Sequence, residues 1–229
     1  MQKGFVIKQA AKDQLRRFRR YRAVENELLA TGKSLVLAES IEAAHKNFKR
    51  VVSHAEGLWV DACTLFLGGR YPTALAISIT CLEEVGKIGV AKIQLLEKAE
   101  THRKITVSTA PQAPRRGHPF YSHSQKLLLA VGAGVLHNGR LDRILGLEKV
   151  MEFLDRVEKG EIEPLRQSCL YSDVEGGHLF LPSELIGEKE AEFYVVLVGE
   201  VLAEVVGPSE RRRLLACVQQ FEKRIGHTH

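Results

Sequence analysis

The chain has 229 residues, 45% hydrophobic and 27% charged, a composition that suits a soluble globular protein with one sizeable core. No apolar run approaches the ~18 residues of a membrane span, and the opening MQKGFVIKQ has too short an apolar stretch for a signal peptide, so a cytoplasmic protein with no membrane partner is expected. Lys and Arg outnumber Asp and Glu by 33 to 28, giving a net charge of +5 and a pI near 9.0, a balance compatible with an anionic partner such as RNA.

Residues 8 to 30 read as a helix with an interrupted apolar stripe of Leu15, Phe18 and Leu28. It carries the densest positive charge of the chain in Arg16, Arg17, Arg19 and Arg20. Such a run is either a solvated helix face or a phosphate-contacting arm, since clustered cations supply sequence-independent affinity for nucleic acid. Thr31-Gly32-Lys33 reads as a break, so residues 1–39 are expected to form a basic arm and 40–229 a helical domain.

From Ser40, a candidate N-cap, Ile41, Ala44, Phe48, Val51, Ala55, Leu58, Ala62 and Leu65 recur every three or four residues. The spacing predicts a long amphipathic helix. Gly68-Gly69-Arg70 then reads as a tight turn, with Pro72 in the first turn of a second helix. That second helix is apolar on two rows, one of Leu75, Ile79, Leu82, Gly86, Gly89, Ile93 and Leu96, the other of Ile77, Cys81, Ile88 and Ala91. An element apolar on most sides is a central one. Glu83, Glu84 and Lys87 fall within it, and Glu83 precedes Lys87 by four residues, the favourable order for a helical ion pair.

Residues 100 to 119, with three prolines and many cations, read as a loop. A helix beginning near Phe120 is expected to carry His123 and Lys126 on one face, followed by one from about Leu147 to Val157. Glu163-Pro164-Leu165-Arg166 reads as a short helical start, Asp173 to Gly177 as a loop, and Leu181-Pro182-Ser183-Glu184 as the start of a helix running through Phe193 to Val205. Pro208 ends it, and a last helix carries Leu214, Cys217, Val218 and Phe221. No strand alternation stands out, so the fold class is all-α.

Several chemistries lack their residues. The cysteines (Cys63, Cys81, Cys169, Cys217) are far apart within apolar helical patterns, which argues for buried thiols rather than a disulfide frame or zinc site. Glu-x-x-His occurs at Glu42/His45 and Glu175/His178, but not as a pair on facing core helices, and Glu84 is followed three residues later by a cation. No metal and no cofactor are therefore expected. Phosphate-binding loops and a Gly-x-Ser-x-Gly elbow are absent. A polar set remains: Glu83, Glu84, Lys87, His123, Lys126, Arg166 and Tyr171. It is either a network of ion pairs between helices or a cationic pocket for a phosphodiester, in which Arg clamps phosphate and His or Tyr moves protons.

Three stretches in order are similar to the signature of the AbiV family of abortive-infection proteins, within the HEPN superfamily. They are Tyr71-Pro72-Thr73-Ala74-Leu75-Ala76 leading into Leu82-Glu83-Glu84-Val85-Gly86-Lys87; Phe120-x-x-His123-x-x-Lys126; and Leu165-Arg166-x-x-x-Leu170-Tyr171-x-Asp173. The resemblance covers roughly residues 45 to 185. It implies an HEPN-like helical bundle that forms homodimers and serves in phage defence, with the basic arm and the C-terminal helices added to it. It also implies RNA as a partner, a phage-encoded activator protein as another, and metal-independent endoribonuclease chemistry. Many HEPN proteins resemble nucleases in which an Arg and a His, four to six residues apart, meet at a dimer cleft. Here Arg166-x4-Tyr171 has the spacing but ends in Tyr, and Arg116-x6-His123 has it with Arg116 in the proline-rich loop. The implied roles are Arg166 on the phosphate, His123 or Tyr171 on protons, and Glu83, Glu84, Lys87, Lys126 and Asp173 in support. The competing expectation is a non-catalytic module that blocks translation or senses a phage protein.

Overall fold

The structure, a computed structural model, describes residues 41–100, 122–137, 140–206 and 215–226, together with Arg19 and Ala23. Arg19 is helical and exposed; the rest of the basic arm, including Arg16, Arg17 and Arg20, and the loop bearing Arg116 lie outside the described residues. The described residues form α1 (Ile41–Leu67), α2 (Tyr71–Glu100), α3 (His123–His137), α4 (Arg140–Leu145), α5 (Leu147–Glu158), α6 (Ile162–Ser168), β1 (Asp173–Glu175), β2 (His178–Phe180), α7 (Pro182–Leu185), α8 (Glu188–Val206) and α9 (Leu215–Arg224). The fold is all-α, with one small hairpin among the described residues. No helix among the described residues is long and apolar enough to cross a membrane.

The α1–α2 hairpin forms as its glycines require. The amides of Gly69 and Arg70 donate to Phe66 O and Leu65 O, both at 2.9 Å, and Gly69 takes a φ of 73°, which a side chain would resist. α2 is the central element: it packs against α1, α3, α8 and the short α6. Leu75, Ile79 and Leu82 are fully buried on one row and Ala74, Cys81 and Val85 on another. Ser78 is buried with them because its hydroxyl donates to Ala74 O at 2.8 Å.

The buried face of α1 is turned from the expected seam. Ala55 and Ala62 are on it, but Val52, Trp59, Cys63 and Phe66 complete it, while Leu58 and Leu65 are only partly buried at its edge. The reason is α8. The Trp59 indole lies so close to that helix that a Cβ at Gly199 would sit 2.5 Å from the ring, and its Nε1 donates to Val195 O at 3.1 Å. The cysteines Cys63, Cys81 and Cys169 are buried and unbridged, as composition suggested. Burial raises the Cys81 thiol and pushes Cys169 up to about 12, so both stay protonated and inert.

Three further expectations are corrected. Residues 173 to 177 are not a loop: Asp173–Glu175 pairs antiparallel with His178–Phe180, joined through Gly176 and Gly177, both at positive φ. Strands of three residues are too short to show alternation. The helix expected from Leu181 is two helices, α7 and α8, parted at Ile186 and Gly187, and α4 was not anticipated at all. α3 begins at His123 rather than near Phe120, after the non-helical Ser122; Phe120 and Tyr121 lie outside the described residues.

Gly86 decides how closely α2 and α3 approach. A Cβ there would sit 2.1 Å from Lys126 O, a backbone atom that cannot rotate away. Gly86→Ala is therefore expected to destabilise the protein by about 1–3 kcal/mol, despite alanine's better helix propensity. A melting temperature equal to wild type would refute the close crossing.

Candidate active site

The Gly86 crossing sets the chemistry one turn away. Glu83 on α2 faces the first turn of α3, where His123 and Lys126 share a side because they are three residues apart. His123 Nδ1 lies 2.8 Å from Glu83 Oε1, and Lys126 Nζ donates to Glu83 Oε2 at 2.8 Å. The Glu83 and Lys126 side chains are only 9% and 7% exposed. Each oxygen of the buried carboxylate thus has a partner, and the ammonium neutralises it.

This differs from the expected Glu83–Lys87 pair. Lys87 bonds Glu84 instead, three residues before it, where both are partly exposed. Helix geometry allows either partner; Glu83 is drawn away by two donors on α3.

The third wall comes from α6. Arg166 grips Glu163 bidentately, Nε to Oε2 at 2.9 Å and Nη2 to Oε1 at 2.7 Å, and Gln167 Nε2 adds a bond to Oε1 at 2.7 Å. The Arg166 fork holds the Glu163 carboxyl below its ordinary value, and the same bond raises the Arg166 guanidinium. The charged pair is therefore intact at neutral pH. Glu163 Oε2 also lies 4.0 Å from His123 Nδ1, which joins the two halves of the cluster. Glu83, His123 and Glu163 bring their ligand atoms within 4.8 Å of one another, a spacing open to a cation. Lys126 and Arg166 already neutralise both carboxylates, so these four groups carry no net charge to draw a divalent cation.

Four of the residues expected from sequence, Glu83, His123, Lys126 and Arg166, thus meet in space. Glu84 and Lys87 form a separate pair. Asp173 is exposed at the start of β1, where its Oδ1 accepts from its neighbour's amide, Val174 N, at 2.8 Å. Tyr171 is 64% exposed beside the hairpin, outside the hydrogen-bonded cluster. Sequence reasoning passed over Glu163 and Gln167. The available signal was Glu163-x-x-Arg166, a helical ion-pair spacing.

The family model HEPN_AbiV, described as AbiV, matches residues 43–203. The chain belongs to the AbiV family. No match was found among curated proteins or among solved structures. The AbiV match runs further than the 45 to 185 suggested by the motifs, from the start of α1 into the last turn of α8. It therefore takes in all of the cluster, α2, α3 and α6 alike. Membership ties the chain to abortive infection and to the HEPN superfamily.

Proposed function

We propose that this AbiV protein acts on RNA in phage defence as a metal-independent endoribonuclease, with the Glu83–His123–Arg166 cluster as its centre. One observation carries the reading: a buried carboxylate pins Nδ1 of a half-exposed histidine. His123 is 50% exposed and bonded to Glu83 through Nδ1. A carboxylate neutralised by lysine accepts, so Nδ1 keeps the proton and Nε2 carries the free lone pair.

In this mechanism His123 Nε2 takes the proton of a ribose 2′-hydroxyl. The 2′-oxygen then attacks the adjacent phosphorus and the bond to the 5′-oxygen breaks. The departing oxygen takes up a proton from the imidazolium or from Tyr171. Arg166 balances the charge on the phosphoryl oxygens, and Lys126 keeps Glu83 in position. The products are a 2′,3′-cyclic phosphate and a free 5′-hydroxyl.

The test is cleavage of RNA by the purified protein in EDTA, with and without a lysate of phage-infected cells to supply an activator. Product ends bearing 2′,3′-cyclic phosphate are expected. Intact RNA under both conditions would defeat the nuclease reading.

A second reading, a non-catalytic module that binds a protein, draws on another surface. Leu170, Tyr171, Val174, Leu179, Leu181 and Leu185 are all exposed around the hairpin, and Val174 and Leu179 face each other across its strands. Exposed apolar side chains of this kind suit a protein partner, whether a second copy of the chain or a phage protein.

A further inference from the structure

The Nε/Nη2 edge of Arg166 holds one anion at a time. Both nitrogens are taken by the Glu163 carboxylate, in the planar fork geometry that a guanidinium offers equally to phosphate. The same carboxylate stands 4.0 Å from Nδ1 of His123. The guanidinium that holds this oxyanion is the one assigned to the phosphodiester in the reaction above. We propose that Glu163 is a tethered stand-in for that phosphate: it closes the Arg166 anion site, and RNA binds by displacing it.

The two carboxylates of the cluster differ in the way this requires. Glu83 is buried and tied to the backbone-packed end of α3 through Lys126. Glu163 is 35% exposed, and its hydrogen bonds all go to Arg166 and Gln167 on its own short helix. It can swing into water without breaking a hydrogen bond between elements. Within the cluster Lys126 offsets Glu83 and Arg166 offsets Glu163, so withdrawal of Glu163 leaves one uncompensated guanidinium facing the ligand. The inference rests on the proposal that RNA is the ligand, and it adds a self-inhibited resting state to it.

The experiment measures binding of a 2′-O-methyl oligoribonucleotide, which lacks the nucleophile and stays intact, by fluorescence anisotropy on the full chain. Glu163→Gln keeps the shape and removes the competing charge; it is expected to tighten binding by roughly 3–10-fold, the scale of a partly exposed ion pair. Gln167→Ala, which frees one tether of the carboxylate, is expected to shift affinity the same way by less. Glu161→Gln removes an equal charge from an exposed neighbour that faces Arg156 instead, and should change affinity by under about 2-fold. Combining Glu163→Gln with Arg166→Ala should abolish the gain. If Arg166→Ala weakens binding but Glu163→Gln leaves it equal or weaker, Glu163 positions Arg166 and the stand-in is overturned while the RNA site survives. If Arg166→Ala leaves wild-type affinity unchanged, the RNA site itself falls, and this inference with it. Should Glu163→Gln fail to fold, unchanged affinity in Gln167→Ala overturns the idea alone.

Discussion

His123→Ala and Arg166→Ala are each expected to cut the rate of RNA cleavage by two to four orders of magnitude while leaving the fold intact. Loss of a positioned general base costs typically 10²–10⁴-fold, and loss of a group that stabilises developing negative charge costs about 10²–10³-fold. The fold should tolerate both. Without His123, Glu83 keeps its bond to Lys126. Without Arg166, Glu163 is exposed enough to be hydrated. Arg166→Lys should rescue little, because an ammonium cannot reproduce the bidentate fork. The check is single-turnover cleavage in EDTA beside a thermal melt of each variant. Wild-type rates in both variants, with normal melts, would mean that the chemistry lies elsewhere in the chain.

The Glu83–Lys126 pair has the largest expected effect on stability. Both side chains are more than nine-tenths buried. Removing one partner strands the other's charge, which costs about 3–5 kcal/mol, whereas replacing both with apolar residues of similar size is often neutral. Glu83→Leu and Lys126→Met are therefore each expected to lower the melting temperature by roughly 6–20 °C, at about 2–4 °C per kcal/mol for a chain of this size. The double variant should recover most of that loss. It should nevertheless remain inactive, because nothing then fixes the proton on Nδ1 of His123. This outcome separates a working cluster from a merely structural ion-pair network. A double variant that is stable and cuts RNA at the wild-type rate would leave Glu83 with no part in the reaction.

Much of this cluster was legible in one dimension, and for an identifiable reason. Glu83 interrupts an otherwise apolar helix, and a charge in a central element must have a partner. His123 and Lys126 stand three apart, which on a helix means one face. Arg166 was picked out by the motif that carries it. The choice of partner was not legible. Glu83-to-Lys87 and Glu84-to-Lys87 are both allowed within a helix, and only the approach of α3 decides between them. In sequence Glu163 is only part of a helix start, because its part in the cluster depends on the distance between α6 and α3.

The same division runs through the fold. Local sequence by itself determined the α1–α2 hairpin, since a positive φ at Gly69 and Pro72 in a first turn are properties of the residues themselves. It also determined that α2 lies at the centre, because a helix apolar on two rows must bury both. Tertiary structure alone decided which side of α1 is covered, through the seat of Trp59 on α8 at Gly199. It alone brought Glu83, His123, Lys126, Glu163 and Arg166 together from three helices. Periodicity reports which face of a helix avoids water, but not which neighbour covers it. A site assembled across helices is set by those neighbours, and here by Gly86, which lets the backbones of α2 and α3 touch.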